Sequence, residues 1–205
     1  RMTGVTVSEA QFRFASEKTN GSGNPTYLLQ NWLTNPFPDA SFDAVVSQFG
    51  LMFFGDRTAA LREIWRVLRP GGRMAIAVWG TLADTPVYAA EVALIERWAG
   101  PAAAAAMRAP FALGDEQRFR AVFADAGIPI AAVRTEVGTG VFPSIRALVE
   151  ADLRGWLPII GVVLPDETIA GILAEAEVVM SPFRGPDGTV RFDAPALIAT
   201  GSKAD

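Results

Sequence analysis

Neither cysteine nor histidine occurs anywhere in the 205 residues. Without cysteine there can be no disulfide, thiolate nucleophile or cysteine metal site. Without histidine, the usual neutral-pH general base and the commonest metal ligand are gone as well. An excess of basic charge is also missing: 18 Lys and Arg stand against 22 Asp and Glu, for a net charge of −4 and a pI near 5.0. No basic patch marks a nucleic-acid or anionic-membrane surface. No apolar run has the length of a membrane span, and no signal peptide is visible, so a cytoplasmic protein is expected. Position 1 is Arg rather than Met, and the chain is expected to start inside a longer reading frame.

What is present is apolar. Half of the residues are hydrophobic, enough for one good core, or one core and a small appendage. The chain is organised around residues 35–80. Phe42 to Ser47 and Met74 to Trp79 are short apolar runs that read as strands buried on both faces. Between them Asp56 can cap a helix in which Leu61, Ile64, Trp65 and Leu68 recur at helical spacing. Arg57, Arg62, Glu63, Arg66 and Arg69 take the solvated positions. Pro70-Gly71-Gly72 is expected to stop the helix. Two buried strands joined by one helix make a parallel, right-handed crossover.

Taken in order, Arg1 to Val7 has strand character, and Ser8 can cap a helix through Lys18 that Gly21-Ser22-Gly23 closes. Pro25 to Gln30 reads as a second strand. After Trp79, Asp84 or Thr85 caps a helix with Pro86 in its first turn and Val87, Leu94, Ile95 and Trp98 on its apolar face. Gly100 is expected to end it, and 101–107 reads as plain helix or linker. Asp115 caps a helix to Ala126. Ala131 to Val137 alternates as a strand, Ser144 begins a helix towards Trp156, and Pro165-Asp166 opens another. Arg184 to Gly188 is a turn ahead of Val190-Arg191-Phe192 and a last strand, Ala196 to Thr200. There is no internal repeat. The whole is expected to be one α/β domain, with residues 143–183 a helical, lid-like insertion.

The sequences PFPDASFDAVVSQFGLMFF and LREIWRVLRPGGRMAIAVWG together resemble the class I S-adenosylmethionine-dependent methyltransferases of small molecules, the group that includes quinone-biosynthesis enzymes. FALGDEQRFRAVFADAG, the region around RGWLP, and RFDAPALIAT are similar to the C-terminal half of those proteins. GVTVSEAQ resembles the second strand and turn of relatives that include sterol and tocopherol methyltransferases. The resemblance implies a Rossmann-like, mostly parallel sheet with flanking helices and an antiparallel last strand. It also implies a central first strand ending in a glycine-rich turn, where main chain approaches the cofactor. No such turn follows a strand here, so that unit is expected ahead of Arg1 and the sheet is expected to be incomplete at the N-terminus. The second strand and the Phe42 strand would then meet directly, exchange with another chain, or leave a gap.

The same resemblance carries over residue by residue. Thr6 and Gln11, with Ser8 beside them, take the positions that bind the ribose hydroxyls, Ser8 being equally a helix cap. Asn31 and Trp32 take the positions of an adenine-reading pair. Asn31 keeps an acceptor oxygen without the charge of the usual Asp, and Trp32 either packs on an apolar surface or stacks on adenine. Ser47, Gln48 and Phe49 lie at the carboxyl edge of the sheet, where open α/β folds bind ligands. Met52, Phe53 and Trp79 form an apolar cluster beside that edge that reads as core or as an acceptor pocket, and Trp156 resembles part of a lid. Asp39, Asp43 and Asp56 read as turn and cap residues.

The function implied is methyl transfer from S-adenosylmethionine to a small organic acceptor. The sulfonium supplies the activation, and the protein aligns the partners and excludes water. No metal, nucleic acid or membrane enters, and no general base is identified. The alternative is a catalytically inactive, methyltransferase-like scaffold completed by a partner, a homodimer or an exchanged strand. A nicotinamide dehydrogenase ranks below both, since no G-x-G-x-x-G follows a strand.

Overall fold

The structure, a computed structural model, describes residues 2–19 and 25–204. Two short strands, β1 (Thr3–Thr6) and β2 (Thr26–Leu29), pair in parallel and flank helix α1 (Glu9–Lys18). Ser8 caps α1, its Oγ accepting from the amide of Gln11. The expected closing turn at 21–23 lies outside the described residues. Strand β3 (Phe42–Gln48), helix α2 (Arg57–Val67) and strand β4 (Leu68–Trp79) form the expected parallel crossover. Asp56 caps α2, its Oδ1 accepting from Ala59 N at 2.8 Å.

The helix stops three residues before Pro70. Leu68 already has extended backbone and pairs with Phe42, and the ladder then bulges before resuming at Arg73 opposite Ala44. Gly71 takes a positive φ of 72° inside that bulge, where the β-carbon of any other residue would be strained. Pro70-Gly71-Gly72 therefore shapes a bulge within β4, not the helix terminus.

Helix α3 (Pro86–Arg108) is broken at Gly100 (φ 82°, ψ 177°), with Pro101 restarting it, so the expected stop at Gly100 is a kink between two helical segments. Helix α4 (Glu116–Ala126) ends on left-handed Gly127 and leads into strand β5 (Ala132–Phe142). Between β5 and the last strand come α5 (Ile145–Ala151), a π-helical turn over Asp152–Trp156, the short α6 (Leu157–Ile159) and α7 (Asp166–Val179). Strand β6 (Val190–Ser202) closes the chain as one uninterrupted strand.

The larger sheet runs β3-β4-β6-β5, with β6 antiparallel to both neighbours. Among the described residues, β1 pairs only with β2 and β3 only with β4, so the two sheets do not meet through a hydrogen-bonded ladder. Of the three arrangements expected, direct pairing is not found. The edge of β3 is correspondingly open, with Val46 73% exposed, and α1 buries none of its residues.

Two cores hold the rest. One packs α2 and α4 on the sheet through Leu61, Ile64, Phe119 and Phe123 against Met74, Ile76, Val78, Leu197 and Ala199. The other packs α3 with α5 and α7 through Val87, Leu94, Ile95, Leu148, Ile172 and Leu173. Trp98 was expected in that second core, but it is 44% exposed and its indole N–H donates to Glu175 at 2.6 Å. A large aromatic with a polar edge can take such a rim position, half covered and half wet. Asp39 lies in the turn ahead of β3 and pairs with Arg66, whereas Asp43, expected as a turn or cap residue, lies within β3 and pairs with Arg69.

Candidate functional site

The residues that follow the carboxyl ends of β1, β2, β3 and β4 converge on one cleft of about 1340 Å³. Ligand sites usually occupy roughly 300–1,000 Å³, so this cleft has room for two small molecules side by side. A ligand position outside the carboxyl ends of parallel strands is the general rule for open α/β sheets.

At one end lie the polar residues. Thr6 Oγ1 donates to Gln11 Oε1 at 2.8 Å and accepts from Ser8 N at 3.1 Å, so the turn after β1 is a closed hydrogen-bonded unit. Asn31 caps a single 3₁₀ turn, its Oδ1 accepting from Leu33 N at 3.0 Å. A carboxamide oxygen has two lone pairs, so one acceptor site stays open to a ligand. Trp32 lines the same end, but its indole N–H donates to Ala60 O on α2 at 3.2 Å, which pins it as packing.

Ser47, Gln48 and Phe49 line the middle of the cleft. Phe49 is one of two non-glycine residues with positive φ among the described residues, at 56°, and its ring stacks flat on Trp79 with centroids 3.7 Å apart. Its amide is held by Ala77 O at 2.9 Å. A bulky residue in the left-handed region is a costly conformation that survives only where its surroundings fix it, and such residues cluster at ligand sites. Phe53 meets Trp156 of the π turn at 5.1 Å between centroids and so joins the sheet edge to the helices between β5 and β6. Met52 does not line the cleft: only 3% exposed, it is buried against α2, where a 3₁₀ turn directs it inward. Every other residue singled out from the sequence, Thr6, Ser8, Gln11, Asn31, Trp32, Ser47, Gln48, Phe49, Phe53, Trp79 and Trp156, borders the cleft.

Sequence reasoning missed the acids at the far end. Glu91, on α3, is 0% exposed. Asp152 opens the π turn and borders the cleft together with Tyr88, Thr85 and Phe192. Burial pushes the Glu91 carboxyl well above the usual range, and the charge of Asp152 and a hydrogen bond with it push the same way. Burial also raises Asp152 to about 6, against a smaller opposing effect of its hydrogen bond with Glu91. Tyr88 is pushed up by burial and by both acids. A signal was available, since Glu91 falls four residues after Val87 and three before Leu94, squarely on the apolar face. A charged residue there is the informative exception to inside-outside patterning.

Residues 1–76 match the methyltransferase domain family. An O-methyltransferase of Aspergillus nomiae is 43% identical over 79 residues, covering 37% of this chain and 35% of that protein. A demethylmenaquinone methyltransferase of Corynebacterium kroppenstedtii is 38% identical over 79 residues, covering 38% and 34%. The chain thus matches only about a third of the length of these curated relatives. Among solved structures, Haemonchus contortus phosphoethanolamine N-methyltransferase 2, in complex with phosphomonomethylethanolamine and S-adenosylhomocysteine, superposes with a TM-score of 0.54 at 15% identity. That superposition covers 99% of this chain and 43% of the other. It establishes the fold.

Proposed function

From a chain that belongs to the class I S-adenosylmethionine-dependent methyltransferase family, we propose an enzyme that transfers a methyl group from S-adenosylmethionine to a small organic acceptor held in the same cleft. The observation that carries this is the convergence of four strand ends on one cleft lined by both polar and aromatic side chains. The alternative of an inactive scaffold has no support over this reading.

The polar residues of the cleft fit the donor's chemistry. Thr6, Ser8 and Gln11 would hold the ribose hydroxyls, Asn31 the adenine edge, and Ser47, Gln48 and the main chain of Phe49 the centre of the molecule. Phe53, Trp79 and Trp156 would take the acceptor, with the 143–183 insertion as its lid. Bound S-adenosylmethionine supplies an activated methyl on a cationic sulfur. The chain's own contribution is to align the acceptor with that carbon and to keep water out, which the stacked Phe49–Trp79 wall and the Phe53–Trp156 contact favour. Calorimetric titration with S-adenosylhomocysteine should show one site per chain, weakened roughly ten-fold in Gln11→Ala by loss of a hydrogen bond. Absence of heat at any concentration would dismiss the proposal.

We also propose strand exchange between two copies, because among the described residues one edge of β1 and one edge of β3 carry no paired strand. Light scattering at twice the chain mass of 21.9 kDa would support it, and a stable species of 21.9 kDa would refute it.

A further inference from the structure

Five buried side-chain polar atoms among the described residues have no hydrogen-bond partner, and three of them belong to the neighbouring Glu91 and Asp152: both oxygens of Glu91 and Oδ2 of Asp152, while the indole nitrogen of Trp156, on the same π turn as Asp152, is a fourth. Buried polar atoms are almost always satisfied, and unsatisfied ones call for an explanation. Two carboxylates cannot satisfy each other, because neither has a hydrogen to give. One proton held between them supplies the missing donor, as in other close acid pairs.

The surroundings keep that proton in place. Glu91 sits wholly inside the α3–α5–α7 core, while Asp152 reaches the cleft. Tyr88, one turn before Glu91 on the same helix, is the third titratable group facing the pair, and it stays protonated. Arg154, on the π turn itself, is directed outward to Glu150 and Asp166 and brings no positive charge to the pair. π turns inside helices are rare and are frequently found at functional sites, and this one places Asp152 and Trp156 on the same cleft. Four phenylalanines, Phe53, Phe111, Phe142 and Phe192, border the same cleft.

We propose that Glu91 and Asp152 form a proton-sharing pair that binds the hydroxyl group of an apolar aromatic acceptor, with Asp152 taking its proton and Glu91 positioning Asp152. The inference of a catalytic proton rests on the methyl-transfer reading above; the binding of a hydroxyl does not. In the transfer step the acceptor O–H bond breaks and its proton passes to the Asp152 carboxylate. The oxygen keeps the electron pair and forms the new bond to the methyl carbon, the carbon–sulfur bond breaks with its electrons going to sulfur, and Asp152 later returns the proton to water. The indole N–H of Trp156, on the same turn and also without a partner, is a further donor bordering the cleft. A carboxylate that titrates near 6 suits this task at neutral pH, being ionised but still basic.

The test compares a naphthol with its methyl ether, which fills the same volume without the hydroxyl, by fluorescence titration of the full chain across a range of pH. The naphthol should bind roughly ten-fold or more tightly, as expected for a hydrogen bond to a charged group, and the preference should grow as pH rises through about 6. Asp152→Asn should remove the growth with pH and most of the preference. Glu91→Leu should move its midpoint upward, and Glu91→Gln, which restores a donor, should bring it back. Equal binding of the two probes, or an unchanged profile in Asp152→Asn, would overturn the proposal. Difference infrared spectroscopy of the unaltered protein covers the case of a variant that does not fold. A protonated carboxyl band should persist at neutral pH, and complete ionisation would overturn the proposal equally well. If S-adenosylhomocysteine fails to bind while the naphthol preference holds, the methyl-transfer reading falls and the hydroxyl site stands.

Discussion

Glu91→Gln should melt at a higher temperature than the natural chain at neutral and mildly alkaline pH, with the gain shrinking towards zero as the solution is acidified. Glu91 is wholly buried, and its carboxyl is held protonated far above the pH at which the unfolded chain would release it. The folded state therefore binds more protons than the unfolded state. Stability falls as pH rises above the unfolded carboxylate range, by about 1.4 kcal/mol for each pH unit until the folded group itself ionises. Asp152 adds a narrower window of the same sign, between 3.8 and about 6. An amide at position 91 does not titrate and can donate to Asp152, so the variant escapes this penalty. A gain of about 1–3 kcal/mol corresponds to several degrees for a domain of this size. Differential scanning calorimetry at a series of pH values reads it. A variant less stable than the natural chain at high pH would mean that Glu91 is satisfied where it lies. Lower stability retained at one residue is what a chemically employed group looks like, and removing it typically trades function for stability.

Gly114→Ala should be among the most destabilising single changes in the chain. A β-carbon at Gly114 would lie well inside contact distance of the carbonyl of Gly80 and the amide of Thr81. Those atoms are backbone, just beyond Trp79 at the carboxyl end of β4, and Gly80 N is itself held by Pro195 O at 2.8 Å. Neither partner can rotate away, so β4, β6 or the segment ahead of α4 must shift. A displacement of packed backbone costs about 3 kcal/mol or more. It would also carry Trp79 and the stacked ring of Phe49 with it, deforming the cleft wall. Chemical denaturation should show the loss, and near-ultraviolet circular dichroism should show the altered tryptophan environment. Gly155→Ala is the control, since its added methyl meets nothing within 4 Å. If Gly114→Ala unfolds at the same denaturant concentration as this control, the tight approach of the two segments is wrong.

The parts of the fold legible in the sequence are those where one local rule acts without competition. Asp56, Asp115 and Ser144 each precede an apolar helical pattern, and each caps its helix through a side-chain oxygen. The parallel pair β3 and β4 follows from two apolar runs separated by one helix, and the resemblance supplied the direction of β6. Boundaries failed where tertiary pairing overrode local signals. Leu68 joins the strand ladder before Pro70 can act, and β5 runs on to Phe142 because β6 offers a partner along its whole length. Trp98 and Met52 show that an apolar side chain announces burial of some kind, not which surface it meets. The polar residues of the cleft were readable because they lie at or soon after a strand's carboxyl end. The acid pair was not, because Asp152 and Glu91 lie 61 positions apart on separate helices, and only packing of the helices after β5 against α3 brings them together.

Amide chemical shifts during titration with S-adenosylhomocysteine test most directly whether the cleft is where donor and acceptor meet. The perturbed amides should cluster at residues 6–11, 30–32 and 47–50, leaving the outer faces of α4 and α7 unmoved. An absence of shifts, or shifts confined to residues away from the strand ends, would contradict it.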